Sequence, residues 1–181
     1  SMSGWTQAAR NALTAGQIQS LNIANVGLEM LSDVQVSFLT PVQVQQVKFY
    51  EFYRFSALQT PLLTGAQLAS ISTIGSFSAW SPAARGALNG GQVKFLNVGV
   101  TGIAYLTGSQ IAALATAQIQ QVKFYEFNLL SPLQIPLLTA GQIASIPTAS
   151  SLTTWSAISR ASLNATQVRA VNVDTVGLGL F

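Results

Sequence analysis

Five carboxylates are all the chain offers for acid–base or hard-cation chemistry: Glu29, Asp33, Glu51, Glu126 and Asp174. Histidine, the most frequent general base near neutral pH, is absent, and so is cysteine with its thiolate. Disulfides and Cys-ligated metals go with them. A hard-cation site gathers several carboxylates around one ion, and Glu29 and Asp33 alone do not make one. Glu51 and Glu126 each follow a lysine by three residues, Lys48 and Lys123, and read as paired or solvated groups. Hydroxyls are plentiful, but a Ser or Thr nucleophile needs an activating base, and no Ser-x-x-Lys occurs. Gly90-Gly91 in LNGGQVKF lacks the further glycines and the fixed lysine of a phosphate-cradling loop. These residues predict no enzyme, no cofactor and no metal.

The remaining chemistry is that of recognition. Aromatic residues cluster at Phe49, Tyr50, Phe52, Tyr53 and Phe55, and again at Phe124, Tyr125 and Phe127. Arg10, Arg85 and Arg160 each stand five residues after a tryptophan, Trp5, Trp80 or Trp155. That spacing suits either a repeated anion site or an arginine packed on its indole. The eight cations are scattered along the chain and give a net charge of only +3. A nucleic-acid binder concentrates them on one stripe, so nucleic acid is kept only as the alternative partner. No apolar run reaches the roughly 20 residues that span a bilayer.

The elements that must position these residues follow from repetition. Laying 5–79 on 80–154 gives 36 identities in 75 positions, with QQVKFYEF recurring unchanged at 45–52 and 120–127. A partial third copy fills 155–181. Within each copy runs a period of eight: LTAGQIQS at 13, LTPVQVQQ at 39, LTGAQLAS at 63, LNGGQVKF at 88, LTAGQIAS at 138 and LNATQVRA at 163. Each is a helix start. Thr14 is a candidate N-cap, Gln17 can reach back to the cap's own N–H, and Leu13 with Ile18 can close a hydrophobic staple. Pro41 and Pro82 fall at the first helical position, where a missing N–H costs nothing. A cap contributes about 1 kcal/mol, too little for a helix this short, so stability must come from stacking on neighbouring coils.

Every third octad differs: LNIANV, VKFYEF, ISTIGS, LNVGVT, VKFYEF, IPTASS, VNVDTV. Apolar residues at positions 1 and 3 alternate with polar or small ones, the period of a half-buried strand. The expectation is therefore an α/β fold. It is a single right-handed solenoid domain over 3–181, of about seven coils of 24–26 residues, each with two short helical turns and one parallel strand. The coils are 5–30, 31–54, 55–79, 80–105, 106–129, 130–154 and 155–181; Ser1-Met2 reads as a tag-cleavage scar. An all-α solenoid is the alternative. In the α/β version Phe49 and Phe52 point inward. Asn22, Lys48, Tyr50, Asn97, Lys123, Tyr125, Asn172 and Asp174 point outward from the sheet as a ligand face for a protein or glycan.

Ile18-x-x-Leu21-x-Ile23, Val44-x-x-Val47-x-Phe49, Val93-x-x-Leu96-x-Val98, Ile119-x-x-Val122-x-Phe124 and Val168-x-x-Val171-x-Val173 resemble the core of the leucine-rich repeat. The buried Asn or Cys which that family places after its strand is missing here. The tandem LTxxQ[IV] octads are also similar to repeat tracts of very large secreted or surface proteins of bacteria. That resemblance implies a non-catalytic recognition or spacing module, such as an adhesin segment, in a larger exported protein. Phe181 takes the place of Leu31 and Leu106 at the start of a coil. The array is thus expected to continue, and its apolar end to favour end-to-end self-association.

Overall fold

The computed structural model describes residues 2, 4–71, 74–146, 152 and 155–171 and, of Ile74 and Phe124, the backbone. The chain divides into two compact units, Ser1–Thr101 and Gly102–Phe181. Both are built of one- to two-turn α-helices and 3₁₀ turns, four to six residues each for the most part. No strand occurs among the described residues, so the α/β expectation is wrong and the fold is helical.

The third octads are where the correction falls. Ile23–Val26, Ile74–Ala79 and Val98–Thr101 are α-helical, while Phe49–Arg54 and Phe124–Leu129 are 3₁₀ helices. IPTASS beyond Ile146 and VNVDTV beyond Val171 lie outside the described residues. The physical reason is visible in LNVGVT. Val98 and Thr101 are buried and Gly99 and Val100 half-buried, a spacing of three that one helical turn presents to a core. The apolar residues alternate at positions 1, 3 and 5, as in a strand, but burial is complete at position 6, Thr101, and only partial at position 5, Val100. In 47–55 the buried rings are Phe52 and Phe55, whereas Phe49 is 60% exposed, which overturns its inward placement.

Glycine ends two of these turns. Gly27 (φ 82°) follows Ile23–Val26 and Gly102 (φ 80°) follows Val98–Thr101, one repeat later. A positive φ is nearly free for glycine and costs other residues about 1 kcal/mol or more.

The cap reading holds in atomic detail. At Thr14 the hydroxyl accepts from the Gln17 N–H, and the Thr14 N–H donates to Gln17 Oε1 at 2.9 Å. The same reciprocal box recurs at Ser32, Thr40, Thr64, Asn89, Thr107, Thr139 and Asn164. Ala115 keeps only the half its methyl permits, its N–H donating to Gln118 Oε1 at 3.0 Å. Pro41 and Pro82 open their helices as expected.

A second role of the glutamines was not anticipated. With Oε1 committed to the box, Nε2 remains as a donor, and it crosses to another helix. In the first unit, Gln43 Nε2 donates to the Ile18 and Leu21 carbonyls, both at 2.9 Å. Gln67 donates to Val36 (3.0 Å) and Leu39 (2.7 Å), and Gln92 to Thr60 (2.9 Å) and Leu63 (3.0 Å). In the second unit, Gln142 reaches Ile111 and Leu114, both at 2.8 Å, and Gln167 reaches Ile135 (2.8 Å) and Leu138 (2.7 Å). In each pair the two acceptors stand three residues apart where a short helical turn ends, and the first of them also accepts from the backbone N–H of the second. One buried amide therefore joins the start of one helix to the end of another. This replaces the Asn ladder absent from the sequence.

The tie has two reaches. Gln35 and Gln43 bond residues 22 and 25 positions back, three octads away. Gln67, Gln92, Gln142 and Gln167 bond residues 28–32 back, four octads away. Helices three octads apart also pack directly: Phe49–Arg54 on Ile74–Ala79, Pro41–Gln46 on Gly65–Ala69, and Ala140–Ala144 on Ala165–Ala170. Within each unit an octad thus touches neighbours three and four along, as residues do on an α-helix.

Candidate functional site

The core of the first unit is aromatic where it meets the 3₁₀ turn. Trp80 is 1% exposed and lies 4.9 Å from Phe55, 5.5 Å from Phe77 and 6.2 Å from Phe52, ring centre to ring centre. In the second unit Trp155, also 1% exposed, faces Phe127 at 6.3 Å. Trp5, their counterpart in the first copy, is 48% exposed.

The arginines that follow these tryptophans are spent on the backbone rather than on an anion. Arg10 and Arg160 each donate to the carbonyl of their tryptophan, at 2.6 and 2.5 Å, and Arg85 does the same to Trp80 and to Ser78. Each guanidinium closes the backbone turn between the indole and its helix.

Phe52 and Phe55, three apart, share the buried side of this run, while Phe49, at its first position, turns outward. Phe49, Tyr50 and Tyr53 are exposed. Phe49 and Tyr50 meet edge to face at 5.7 Å. The Lys48 ammonium lies 5.9 Å from the Tyr50 ring centre, and the Arg54 guanidinium 5.0 Å from that of Tyr53. Both are cation–π distances. Arg54 is also held by Glu29 at 3.7 Å. In the second unit Lys123 stands over exposed Tyr125 at 5.9 Å. A cavity of about 450 Å³ opens beside Phe49, lined by Val44, Gln45, Val47, Phe49, Phe52, Ser70, Ile71, Gly75 and Ser76.

Of the eight residues expected on a sheet face, the structure brings Lys48 to Tyr50 and Lys123 to Tyr125. Asn22 and Asn97 are exposed at the starts of the short helices Ile23–Val26 and Val98–Thr101. The sheet that would have aligned them with the lysines does not exist. Asn172 and Asp174 lie outside the described residues. The sequence reading missed Tyr53 with Arg54 and the outward turn of Phe49. For Tyr53 the signal available was the spacing of three between Phe52 and Phe55; for Phe49, also three from Phe52, spacing carries none.

Neither repeated glutamate forms an ion pair with its lysine among the described residues, and Glu126 is not solvated. Glu126 is 4% exposed and accepts from the Ile103 N–H at 3.4 Å, the amide that follows positive-φ Gly102. Burial raises its pKa, against the lowering by that hydrogen bond and by the Lys123 charge. Glu51 is also raised, by burial first and then by the Glu29 carboxylate, against Lys48 and Arg54. A carboxyl raised in the folded state binds protons that the unfolded chain releases, so its ionisation destabilises the fold. Glu126→Gln, which keeps an acceptor and removes the charge, is therefore expected to raise the unfolding midpoint at pH 7. The gain should shrink as the pH falls through the raised pKa, and be gone below about pH 4.5, where the unfolded carboxyl is protonated too. Denaturation of both proteins across this range checks the sign.

Among the described residues no group of three or more His, Cys, Asp or Glu gathers as a metal site, and no helix is long and apolar enough to cross a membrane. No protein-family model, no curated protein and no solved structure matches the chain.

Proposed function

We propose that the chain is a non-catalytic repeat module that recognises a protein or a glycan through ring-and-cation patches, as part of a larger exported bacterial protein. The observation that carries this reading is the exposed row Phe49, Tyr50 and Tyr53 with Lys48 and Arg54 laid against its rings. Large rings left in water on a chain with so few charges are surface that a partner can desolvate, and aromatic residues dominate the energetics of such contacts. The pairing of Lys123 with Tyr125 supplies the same chemistry a second time. The low charge and the LTxxQ[IV] octads support the exported setting.

The test is a binding screen of the full chain against arrays of glycans and of extracellular proteins, run beside the double variant Tyr50→Ala, Tyr125→Ala. Both rings are exposed, so folding should be unaffected and circular dichroism unchanged. Each truncated hot-spot ring costs binding more than about 1 kcal/mol, so at least a tenfold loss is expected for the double variant at any genuine partner. An absence of partners, or partners that bind the variant equally well, overturns the reading.

A further inference from the structure

The cavity beside Phe49 narrows the class of partner. Its walls are mostly carbon: Val44, Val47, Phe52 and Ile71 are buried side chains, Phe49 forms one lip, and Gly75 lies 3.7 Å from the Phe49 ring when given a Cβ. Ser70 at its edge already spends its hydroxyl on the Gln67 carbonyl at 2.6 Å. A sugar, whose hydroxyls each need a partner, would meet only Gln45 and Ser76 besides Ser70 and would lose hydrogen bonds on entering. An apolar side chain would lose none. At about 450 Å³ the space exceeds one such side chain, and it falls within the usual range for a ligand pocket.

Lys48 is the exposed cation beside the cavity. Lys48 is exposed beside Tyr50, within the ring pair that includes Phe49, and makes no ion pair among the described residues. Glu29 is engaged with Arg54. The carboxylate nearest Lys48 in sequence, Glu51, has an oxygen buried away from solvent. Lys48 is thus the exposed charge that a partner's carboxylate can meet here, with half-buried Glu51 close by.

We infer that the site formed by this cavity and Lys48 takes a protein segment, in which an apolar side chain enters beside Gly75 while an adjacent carboxylate meets Lys48. The inference rests on the recognition reading above and chooses protein over glycan within it. Of the lining residues only Val44 and Gly75 change 75 positions on, to Ile119 and Ser150.

The experiment uses the full, isotopically labelled chain and four probes followed by NMR. They are the capped hexapeptide Ser-Gly-Leu-Glu-Gly-Ser, its Leu-to-Ser and Glu-to-Gln forms, and a linear glucose hexamer. The Leu-Glu peptide should shift amides around residues 44–52 and 70–77, saturably. The Leu-to-Ser form should bind at least tenfold more weakly. The Glu-to-Gln form should bind about threefold more weakly, with the difference vanishing in high salt. Gly75→Leu, which fills the cavity from a helical position with room for a Cβ, should abolish binding while leaving the rest of the spectrum in place. Lys48→Ala, at an exposed site, should reproduce the threefold loss without touching the core. Shifts produced by the glucose hexamer and not by the Leu-Glu peptide overturn the inference while leaving recognition by the rings intact. Leu-Glu binding unaffected by Gly75→Leu overturns it as well, and so does silence with all four probes. Loss of every array partner in the preceding screen would instead remove the recognition reading itself.

Discussion

Gln67→Leu is expected to lower the stability of the chain by roughly 3–5 kcal/mol, far more than the loss of a helix cap. The buried carboxamide accepts from the Thr64 N–H at 2.7 Å and donates to the Val36 and Leu39 carbonyls. Leucine matches its size and offers none of these bonds. Each buried group left unpaired costs about 1–3 kcal/mol, and two, the Thr64 N–H and the Leu39 carbonyl, lose their partner, while the Val36 carbonyl keeps only the Leu39 N–H. Thr64→Ala, which removes only the hydroxyl half of the same box, should cost about 1 kcal/mol. The contrast with Gln17 is the sharper test. Gln17 closes an identical box but is exposed, and its Nε2 has no partner among the described residues. Gln17→Leu should cost about 1 kcal/mol.

Glutamate separates the two roles further. It closes a capping box as well as glutamine does, but an ionised carboxylate cannot donate to a carbonyl. Gln17→Glu is expected to be near neutral and Gln67→Glu severe at pH 7. The Gln67→Glu defect should lessen in acid, where a protonated carboxyl regains a donor. Chemical denaturation with an unchanged m-value is the readout. Equal costs at positions 17 and 67 would show that the inter-helix bonds contribute nothing.

The second large effect lies at the tryptophans. Trp80→Ala removes the centre of a stack that includes Phe52, Phe55 and Phe77, and full truncation of a buried indole costs about 3–5 kcal/mol. Trp155→Ala, equally buried, should fall in the same range. Trp5→Ala should cost about 1 kcal/mol or less, since half of its surface already faces water. The three residues occupy one repeat position and are followed at the same interval by an arginine that bonds the tryptophan carbonyl. Any difference among them therefore comes from the surroundings of the indole. Three equal losses would refute the burial argument.

The repeat, the octad and the caps could all be read from residue types, because each depends on contacts within three or four positions. The error over the third octads has the opposite cause. In VKFYEF, two apolar residues two apart are common to a strand and to a turn of 3₁₀ helix. What decides between them is which rings meet Trp80, and that contact spans 25–28 residues. The inter-helix bonds of the glutamines were hidden for a related reason: the capping box by itself already accounts for their recurrence. One clue lay in the composition. Among the described residues every capping box has Gln at the third helical position, although Glu would do in an isolated helix, and at the buried positions the amide nitrogen has its own use. Of the proposed ligand face, the lysine–tyrosine pairs were legible because they are two residues apart. The cavity was not, since Val44 and Gly75 come together only through packing.

A clamp that works over three modules or four has a bearing on how such a chain can lengthen. Slippage during replication that inserts a single octad turns a three-octad tie spanning it into a four-octad one, and both spans occur in this chain. The gene can therefore grow or shrink in steps much smaller than its 75-residue duplication without losing a foldable product.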